Sequence, residues 1–289
     1  MTSTASRPLT LRGAIEHVTA ILAATSPTAR LDAEVLVRYV TGAGRADHIA
    51  CPERPLSDDA RTRLEALLDR RARGEPIAYL TGTREFWSLD FAVSPATLIP
   101  RPETELLVER ALARIPPDAD AWAADLGTGS GAIAAALAHE RPQLRVVATD
   151  QSDAALAIAR ANADRLGLAH IEFRRGHWLE ALGRDRFDVI VSNPPYVREG
   201  DPHLAQGDVR FEPRAALVGG RDGLDAIREI AAGASAHLRP GGWLLLEHGH
   251  NQGADLRAIL ARHGFREVRS YTDLAGHERV TEGSSPQHR

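Results

Sequence analysis

Between residues 121 and 281 the sequence changes period repeatedly. Short apolar runs suited to buried strands (121–126, 144–149, 171–174, 187–192, 243–247, 265–271 and 279–281) are interleaved with segments whose apolar residues recur at helical spacing (131–139, 153–166, 223–238 and 253–263). A strand, a helix and a second strand in succession do not make a hairpin; the helix is a crossover, and the two strands it joins run parallel. The pattern therefore predicts an α/β fold, a mostly parallel sheet with helices on both faces. In such sheets ligands gather outside the carboxyl ends of the strands. The loops that follow the strands are the places to look for chemistry.

The first quarter of the chain has a different grammar. Leu11, Ile15, Val18 and Leu22 fall at helical spacing, as do Leu31, Val35, Leu36 and Tyr39, then Leu64, Leu67 and Leu68. Breaks come at Ser26-Pro27, at Gly42 and Gly44, and around Pro52 and Pro55, with Ser57 placed as an N-cap and Gly74 as a stop. This predicts a helical bundle over 1–73. In the next stretch Phe86, Leu89, Phe91 and Val93 alternate with small or polar residues, a hairpin linker placed at 74–95. The sheet domain is placed at 96–283, opening with a helix over 103–115, and 284–289 is expected to be a frayed tail.

No apolar run approaches the ~18 residues of a membrane span, and MTSTASRPLTLRG lacks the apolar core of a secretory signal, so the cytoplasm is the expected location and no membrane partner is expected. The single cysteine, Cys51, permits no internal disulfide. A net charge of −4 argues against a long basic groove for nucleic acid.

The loop after the first strand of the sheet reads DLGTGSG, Asp125 to Gly131. Glycines there let backbone approach a ligand closely, and the following helix offers unpaired N–H groups at the positive end of its dipole. Gly127, Thr128, Gly129, Ser130 and Gly131 thus form a candidate nucleotide loop. Asp150, about 20 residues on and at the end of the next strand, is placed to accept hydrogen bonds from a ribose diol. Taken alone the loop does not choose a cofactor. Gly127, Gly129 and Ala132 also satisfy the relaxed dinucleotide fingerprint, leaving NAD beside S-adenosylmethionine.

A second signal is VIVSNPPYVREG, where an apolar strand ends in Asn193, Pro194, Pro195 and Tyr196. Prolines stop the strand and stiffen the chain at its mouth. A planar nitrogen, in an amide or a base amine, has a delocalised lone pair and attacks a methyl sulfonium poorly, so orientation has to compensate. The Asn193 side-chain oxygen and the Pro194 carbonyl can each accept one N–H of an NH₂ group, and Tyr196 can lay its ring on the planar group.

The DLGTGSG loop followed by NPPY resembles class I methyltransferases that modify planar amino nitrogens. Three further stretches, GEPIAYLTGTREF, LIPRPETELLVE and FEPRAALVGGRDGL, are similar to the family that methylates the glutamine side-chain amide of peptide chain release factors, with the likeness running over 70–283. The resemblance implies a Rossmann-like sheet of seven strands with a small N-terminal helical domain that recognises the substrate. It also implies S-adenosylmethionine as donor, contacted by Gly127 to Gly131, by Asp150, and by Trp178 near the adenine, with Asn193 bordering both donor and acceptor. The target is then the glutamine of a Gly-Gly-Gln loop in a release factor, a step of translation termination, and the enzyme is expected to be a monomer. One residue departs from the pattern: His177 stands where an acidic residue is expected to accept the adenine amino group, a bond that a neutral imidazole nitrogen can accept and an imidazolium cannot.

Other residues carry weaker signals. His248 and His250, two apart near a strand end, lack a nearby third ligand, and no metal is assigned. Glu247 is a candidate for the substrate side. Arg101 and Glu103 line an acceptor pocket or cap the following helix. Arg70, Arg71 and Arg73 complement a helix dipole or meet a partner. The rival activities are methylation of a ribosomal protein or of a nucleic-acid amine; a non-catalytic cofactor-binding adaptor has no use for acceptors aimed at an NH₂ group.

Overall fold

In the computed structural model, which describes residues 9–286, the chain divides into two compact units, Met1–Gly82 and Thr83–Arg289. The smaller unit holds α1 (Leu11–Leu22), α2 (Ala29–Thr41), α3 (Arg45–Ala50), α4 (Asp58–Ala72) and α5 (Ile77–Thr81). Side-chain caps start two of them: Thr10 accepts from the Gly13 N–H at 3.2 Å, and Ser57 from the Ala60 N–H at 3.1 Å. The apolar faces of α1, α2 and α4 meet in one core that includes Leu11, Val18, Leu36, Val37 and Leu64.

That core also contains a charge pair. Arg71 is buried; its Nε donates to Asp32 at 2.7 Å and its Nη2 to Ser26 at 3.3 Å, tying α4 to α2. Of the three arginines read as a helix end or partner contact, Arg71 is therefore an interior residue, and Arg70 pairs with Glu75. The unit also extends beyond the expected end at 73. Gly74 turns the chain without ending the unit, and α5 adds Ala78, Tyr79 and Leu80 to its buried residues. The stretch expected to be a linker is thereby divided, since the hairpin of β1 (Thr83–Phe86) and β2 (Leu89–Ala92) belongs to the larger unit.

In the larger unit α6 (Glu105–Leu112) precedes a seven-stranded mixed sheet. Its strands are β3 (Trp122–Leu126), β4 (Arg145–Asp150), β5 (Glu172–Arg175), β6 (Phe187–Ser192), β7 (Leu238–Glu247), β8 (Arg266–Thr272) and β9 (Glu278–Ser284), in the order β5-β4-β3-β6-β7-β9-β8. The helices α7 (Ala132–Glu140), α8 (Asp153–Arg165), α9 (Asp225–His237) and α10 (Gly253–Arg262) are the crossovers. β3 to β7 pair in parallel, and β9 runs antiparallel between β7 and β8. In α7 every residue from Ala132 to Ala138 is buried, which explains its run of alanines with no polar face.

The chain leaves β3 toward one edge of the sheet and returns to add β6 on the other side, so the strand order reverses between β3 and β6. Leu126 and Ser192 are register partners there, and the Ser192 hydroxyl donates to the Leu126 carbonyl at 2.7 Å. The glycine loop and the NPPY stretch therefore leave the sheet side by side, which is where this class of fold opens a crevice. At the other end of the chain Ser284 and Ser285 are buried, and the Ser285 N–H donates to the Gly242 carbonyl at 2.7 Å. Of the frayed tail expected at 284–289, Ser284 and Ser285 are instead held, because β9 extends through Ser284; residues 287–289 lie outside the described residues. Among the described residues no helix is long and apolar enough to cross a membrane.

Candidate active site

Asp125, the penultimate residue of β3, organises the loop that follows it. Its Oδ2 accepts from the Thr128 hydroxyl at 2.6 Å and from the Ala134 N–H at 3.2 Å, so one buried carboxyl holds both the loop and the first turn of α7. Burial pushes this carboxyl up to about 7, with the two hydrogen bonds opposing and nearby Asp150 adding to the rise. Gly127 has φ +71°, and a Cβ there would lie 2.9 Å from the Trp178 ring, so the loop and the aromatic ring require a glycine between them. Behind the loop, Asn162 of α8 donates to the Ser130 carbonyl at 2.9 Å and brackets Ala92 of the hairpin with a bond in each direction.

Asp150 ends β4. One of its oxygens accepts from the Gly129 N–H at 3.0 Å and the other from the Ser152 N–H at 2.9 Å. A carboxylate oxygen has two lone-pair sites, so each retains one for a ligand hydroxyl. After β5, His177 and Trp178 lie together, with ring centroids 5.5 Å apart. His177 Nε2 is 3.0 Å from Glu229 of α9. With Nε2 as the donor in that pair, the neutral ring carries its lone pair on Nδ1. His177 thus pairs with a carboxylate supplied by α9.

These residues surround a cavity of about 230 Å³ that Gly127 to Ser130, Asp150, His177 and Trp178 line together with Asn193 and Pro195. A second cavity of about 160 Å³ is lined by Leu98, Arg101, Asn193 and Tyr196 among others. Asn193 belongs to both. Its Nδ2 donates to the Thr104 hydroxyl at 3.2 Å, which leaves its Oδ1 as the acceptor. The Tyr196 hydroxyl donates to Glu247 Oε1 at 3.4 Å, and burial holds that phenol well above its usual range. Pro194 is buried in the turn between them.

Remote residues fix the backbone of this stretch. Val197 N–H donates to the Leu217 carbonyl and Gly219 N–H to the Val197 carbonyl, both at 2.9 Å, while Gln252 Nε2 donates to the Tyr196 carbonyl at 3.1 Å. A Cβ at Gly219 would sit 2.3 Å from the Pro195 oxygen, and one at Gly223 would sit 2.3 Å from the Tyr196 oxygen. Gly219 and Gly223 of FEPRAALVGGRDGL are thus there to let one backbone touch another, while Gly220 clears the Asp225 side chain. The same stretch supplies Glu212, buried by the second cavity, which pairs with Arg101 and accepts from the Ile99 N–H at 3.3 Å. Burial raises the Glu212 carboxyl and Arg101 opposes the rise. Arg101 is therefore part of a cavity wall.

His248 is buried. Its Nδ1 donates to the Gly249 carbonyl at 2.9 Å, and its Nε2 accepts from Thr281 at 2.8 Å, so both nitrogens are used in packing β7 against β9. Sequence reading passed over Asn162, Thr104, Glu229 and Gln252. No local pattern marks them, because each acts on a residue at least 30 positions away.

Residues 13–82 match the family described as the PrmC N-terminal domain, and residues 102–209 the family described as the Methyltransferase small domain. The release factor glutamine methyltransferase of Xylella fastidiosa (strain Temecula1) is 55% identical over 266 residues, 92% of this chain and 97% of that protein. That of Escherichia coli (strain K12) is 49% identical over 268 residues, 93% and 96% of the two chains. Among solved structures, a methyltransferase from Pyrococcus furiosus shares the fold, with a TM-score of 0.53 at 19% identity over 75% of this chain and 98% of that one.

Proposed function

The chain belongs to the release factor glutamine methyltransferase family, and from that premise we propose that it transfers a methyl group from S-adenosylmethionine to the glutamine amide nitrogen of a release factor's Gly-Gly-Gln loop. The observation that carries this reading is the position of Asn193, the polar one of three residues, with Leu98 and Ala216, that line both cavities. A group held in one cavity and an amide held in the other meet at its side chain.

The larger cavity fits the donor. Gly127 to Ser130 offer close backbone, Gly131 lying outside the cavity lining, while Asp150 has a lone pair free on each oxygen, and Trp178 with His177 offers an aromatic wall and a ring nitrogen for an adenine. Bound there, S-adenosylmethionine supplies a methyl group on an electrophilic sulfonium. Asn193 Oδ1 and the Pro194 carbonyl accept the two N–H groups of the target, holding its nitrogen in line and favouring the pyramidal geometry of the transition state. Tyr196 covers the flat face of the amide. Once alkylated the nitrogen is strongly acidic, and its proton passes to water.

The helical unit is the part of the chain that recognises the folded partner. Four of the exposed large apolar residues, Ile21, Leu31, Tyr39 and Ile49, lie in it. The partner is a release factor in the cytoplasm, and the enzyme works as a monomer.

The test is incubation with labelled S-adenosylmethionine and a panel of release factor, ribosomal proteins, DNA and RNA, beside calorimetry with S-adenosylmethionine and NAD. Label is expected on the release factor glutamine and heat from S-adenosylmethionine alone. Label on a nucleic acid, or tight NAD binding, defeats the reading. Joint Leu31→Ser and Ile49→Ser substitution is expected to slow methylation of the whole factor while a short glutamine peptide reacts as before; equal loss on both removes the helical unit from recognition.

A further inference from the structure

The hairpin strand β2 has an open edge. Counting from the two-residue turn at Trp87 and Ser88, Leu89 and Phe91 exchange hydrogen bonds with β1, while Asp90 and Ala92 turn their backbone groups the other way. Groups turned into a protein need partners there. Side chains of α8 supply them. Asn162, fully buried, accepts from the Ala92 N–H at 2.7 Å and donates to the Ala92 carbonyl at 3.0 Å, as a neighbouring strand would, and Arg165 donates to the Asp90 carbonyl.

Asn162 has one more proton, and it goes to a different part of the chain. Its Nδ2 also donates to the Ser130 carbonyl of the glycine loop at 2.9 Å. A side-chain amide has two N–H donors and two lone pairs. Arg165 takes the second lone pair at 3.2 Å, so every bonding position of Asn162 is in use. Ala159, three residues earlier on the same face of α8, lets the loop come close: a Cβ at Gly131 would lie 3.1 Å from the Ala159 Cβ.

Both backbone points held by Asn162 belong to the surroundings of the larger cavity. Ser130 lines it. From Ala92 the chain turns at Ser94, whose Oγ accepts from the Ala96 N–H at 3.2 Å and whose carbonyl accepts from the Thr97 N–H at 3.0 Å; Ala96, Thr97 and Leu98 then line the same cavity. Asn162 itself stays outside the lining.

We propose that Asn162 is a positioning residue for the methyl donor, fixing the glycine loop and the stretch 96–98 relative to each other so that the cavity they both line has its binding shape before the donor arrives. This rests on the function proposed above and adds to it the origin of donor affinity in a residue that does not touch the donor. A side chain that only docked the hairpin would need no bond beyond β2, and Arg165 has that simpler role at Asp90. The bond to Ser130 turns the dock into a link. Preorganisation of this kind acts on affinity, because the cost of ordering the site is met in advance. Coupling is also reciprocal: if the link favours the donor, the bound donor favours the link by the same factor.

Calorimetry with S-adenosylmethionine on the full chain tests the first half. Asn162→Ala is expected to raise Kd by about tenfold, the equilibrium equivalent of one hydrogen bond. In turnover the donor KM should rise with it, while kcat at saturating donor stays at the parent value. Arg165→Ala loosens the same strand without touching the loop and is expected to leave Kd unchanged. The second half is read in the parent. The sequence contains three asparagines, Asn162, Asn193 and Asn251, so selective side-chain ¹⁵N labelling gives three NH₂ pairs, and Asn193→Ala and Asn251→Ala assign the other two. Saturating S-adenosylmethionine should slow hydrogen exchange of the Asn162 pair by about the same tenfold.

Asn162→Ala leaves the Ala92 N–H and the Ala92 and Ser130 carbonyls without this partner; if the variant does not fold, exchange in the parent decides. Exchange that the donor leaves unchanged overturns the proposal. So does a folded Asn162→Ala that binds the donor as the parent does, or an equal loss of affinity in Arg165→Ala. Those results leave the proposed function standing. A parent that binds no S-adenosylmethionine defeats the proposed function and this inference with it.

Discussion

The two loops that leave β3 and β6 side by side are held by opposite strategies. The glycine loop is fixed mainly from nearby: Asp125 ties Thr128 and Ala134, and Asp150 ties Gly129, all within a single βαβ unit, with Asn162 of α8 holding Ser130 from 32 residues away. The NPPY stretch is fixed from afar. Thr104 holds Asn193 from 89 residues away, Glu247 holds Tyr196 from 51, and Gln252 holds the Tyr196 carbonyl from 56. A ligand shared by many proteins needs only a local cradle. An acceptor site for one kind of amide needs its few polar atoms aimed, and aiming takes support from several elements.

If the division is real, damage to the acceptor loop should leave donor binding intact, and damage to the donor loop should act first on affinity. The largest effect is expected from Asn193→Ala. With Oδ1 gone one N–H of the target is unpaired and its nitrogen is free to leave the line of attack. By analogy with removing one preorganised oxyanion donor, the rate should fall by roughly 10² to 10³. Single-turnover methylation beside donor titration on the same variant measures both halves. A rate near the parent's would reduce Asn193 to a strand terminator, and lost donor affinity would merge the two sites.

The converse is Asp150→Ala, which should weaken S-adenosylmethionine by about 1.5 to 3 kcal/mol, the range for a hydrogen bond to a charged group. The variant also releases the Gly129 and Ser152 N–H groups, so Asp150→Asn separates the two contributions. If calorimetry finds unchanged affinity in both variants, Asp150 leaves the donor site.

Next in size comes Gly223→Ala. Its φ of +81° disfavours any side chain, and the added carbon would lie 2.3 Å from the Tyr196 carbonyl oxygen, so the backbone of the acceptor loop must move. Strain of about 1 to 3 kcal/mol is expected, read as slower turnover with donor titration unaltered. A variant as fast as the parent would show that the loop tolerates displacement, and that the remote clamp does not matter to catalysis.

The same contrast decides what could be read from sequence. DLGTGSG, Asp150 and the strand-ending NPPY are visible because each places its residue types at fixed local spacing, and the strand and helix periods from 121 onward locate them. Tertiary partners leave no such trace. Gln252 sits in an unremarkable turn before α10, and Glu229 is one of several charges on α9, yet each completes an interaction begun elsewhere. Nothing local marks Gly219, or Gly223 at the start of the helix expected over 223–238, and only the structure shows that they clear space for other carbonyls. Arg71 illustrates the opposite error. In a run with Arg70 and Arg73 it reads as solvated, and it is buried against Asp32 because α4 turns that one position inward.

The smallest change to turnover is expected at Asp125, which touches no reacting atom and acts through stability. Burial raises its carboxyl to about 7 in the folded chain, against about 3.9 for an unfolded aspartate. Between those values the folded chain holds a proton that the unfolded chain has released. Its stabilising contribution is therefore complete below about 4, declines as pH rises toward 7, and is gone above 7. Glu247, raised to about 7 by burial, has the same sign, so urea denaturation of the parent should show stability falling across this window from both groups. Asparagine at 125 keeps an acceptor for the Thr128 hydroxyl and the Ala134 N–H without an ionisable proton. Asp125→Asn should flatten the slope, and Asp125→Asn with Glu247→Gln should flatten it further. An unchanged slope in the double variant would mean that neither carboxyl is perturbed. The donor loop would then be held by an ordinary ionised aspartate, and its rigidity would not depend on pH at all.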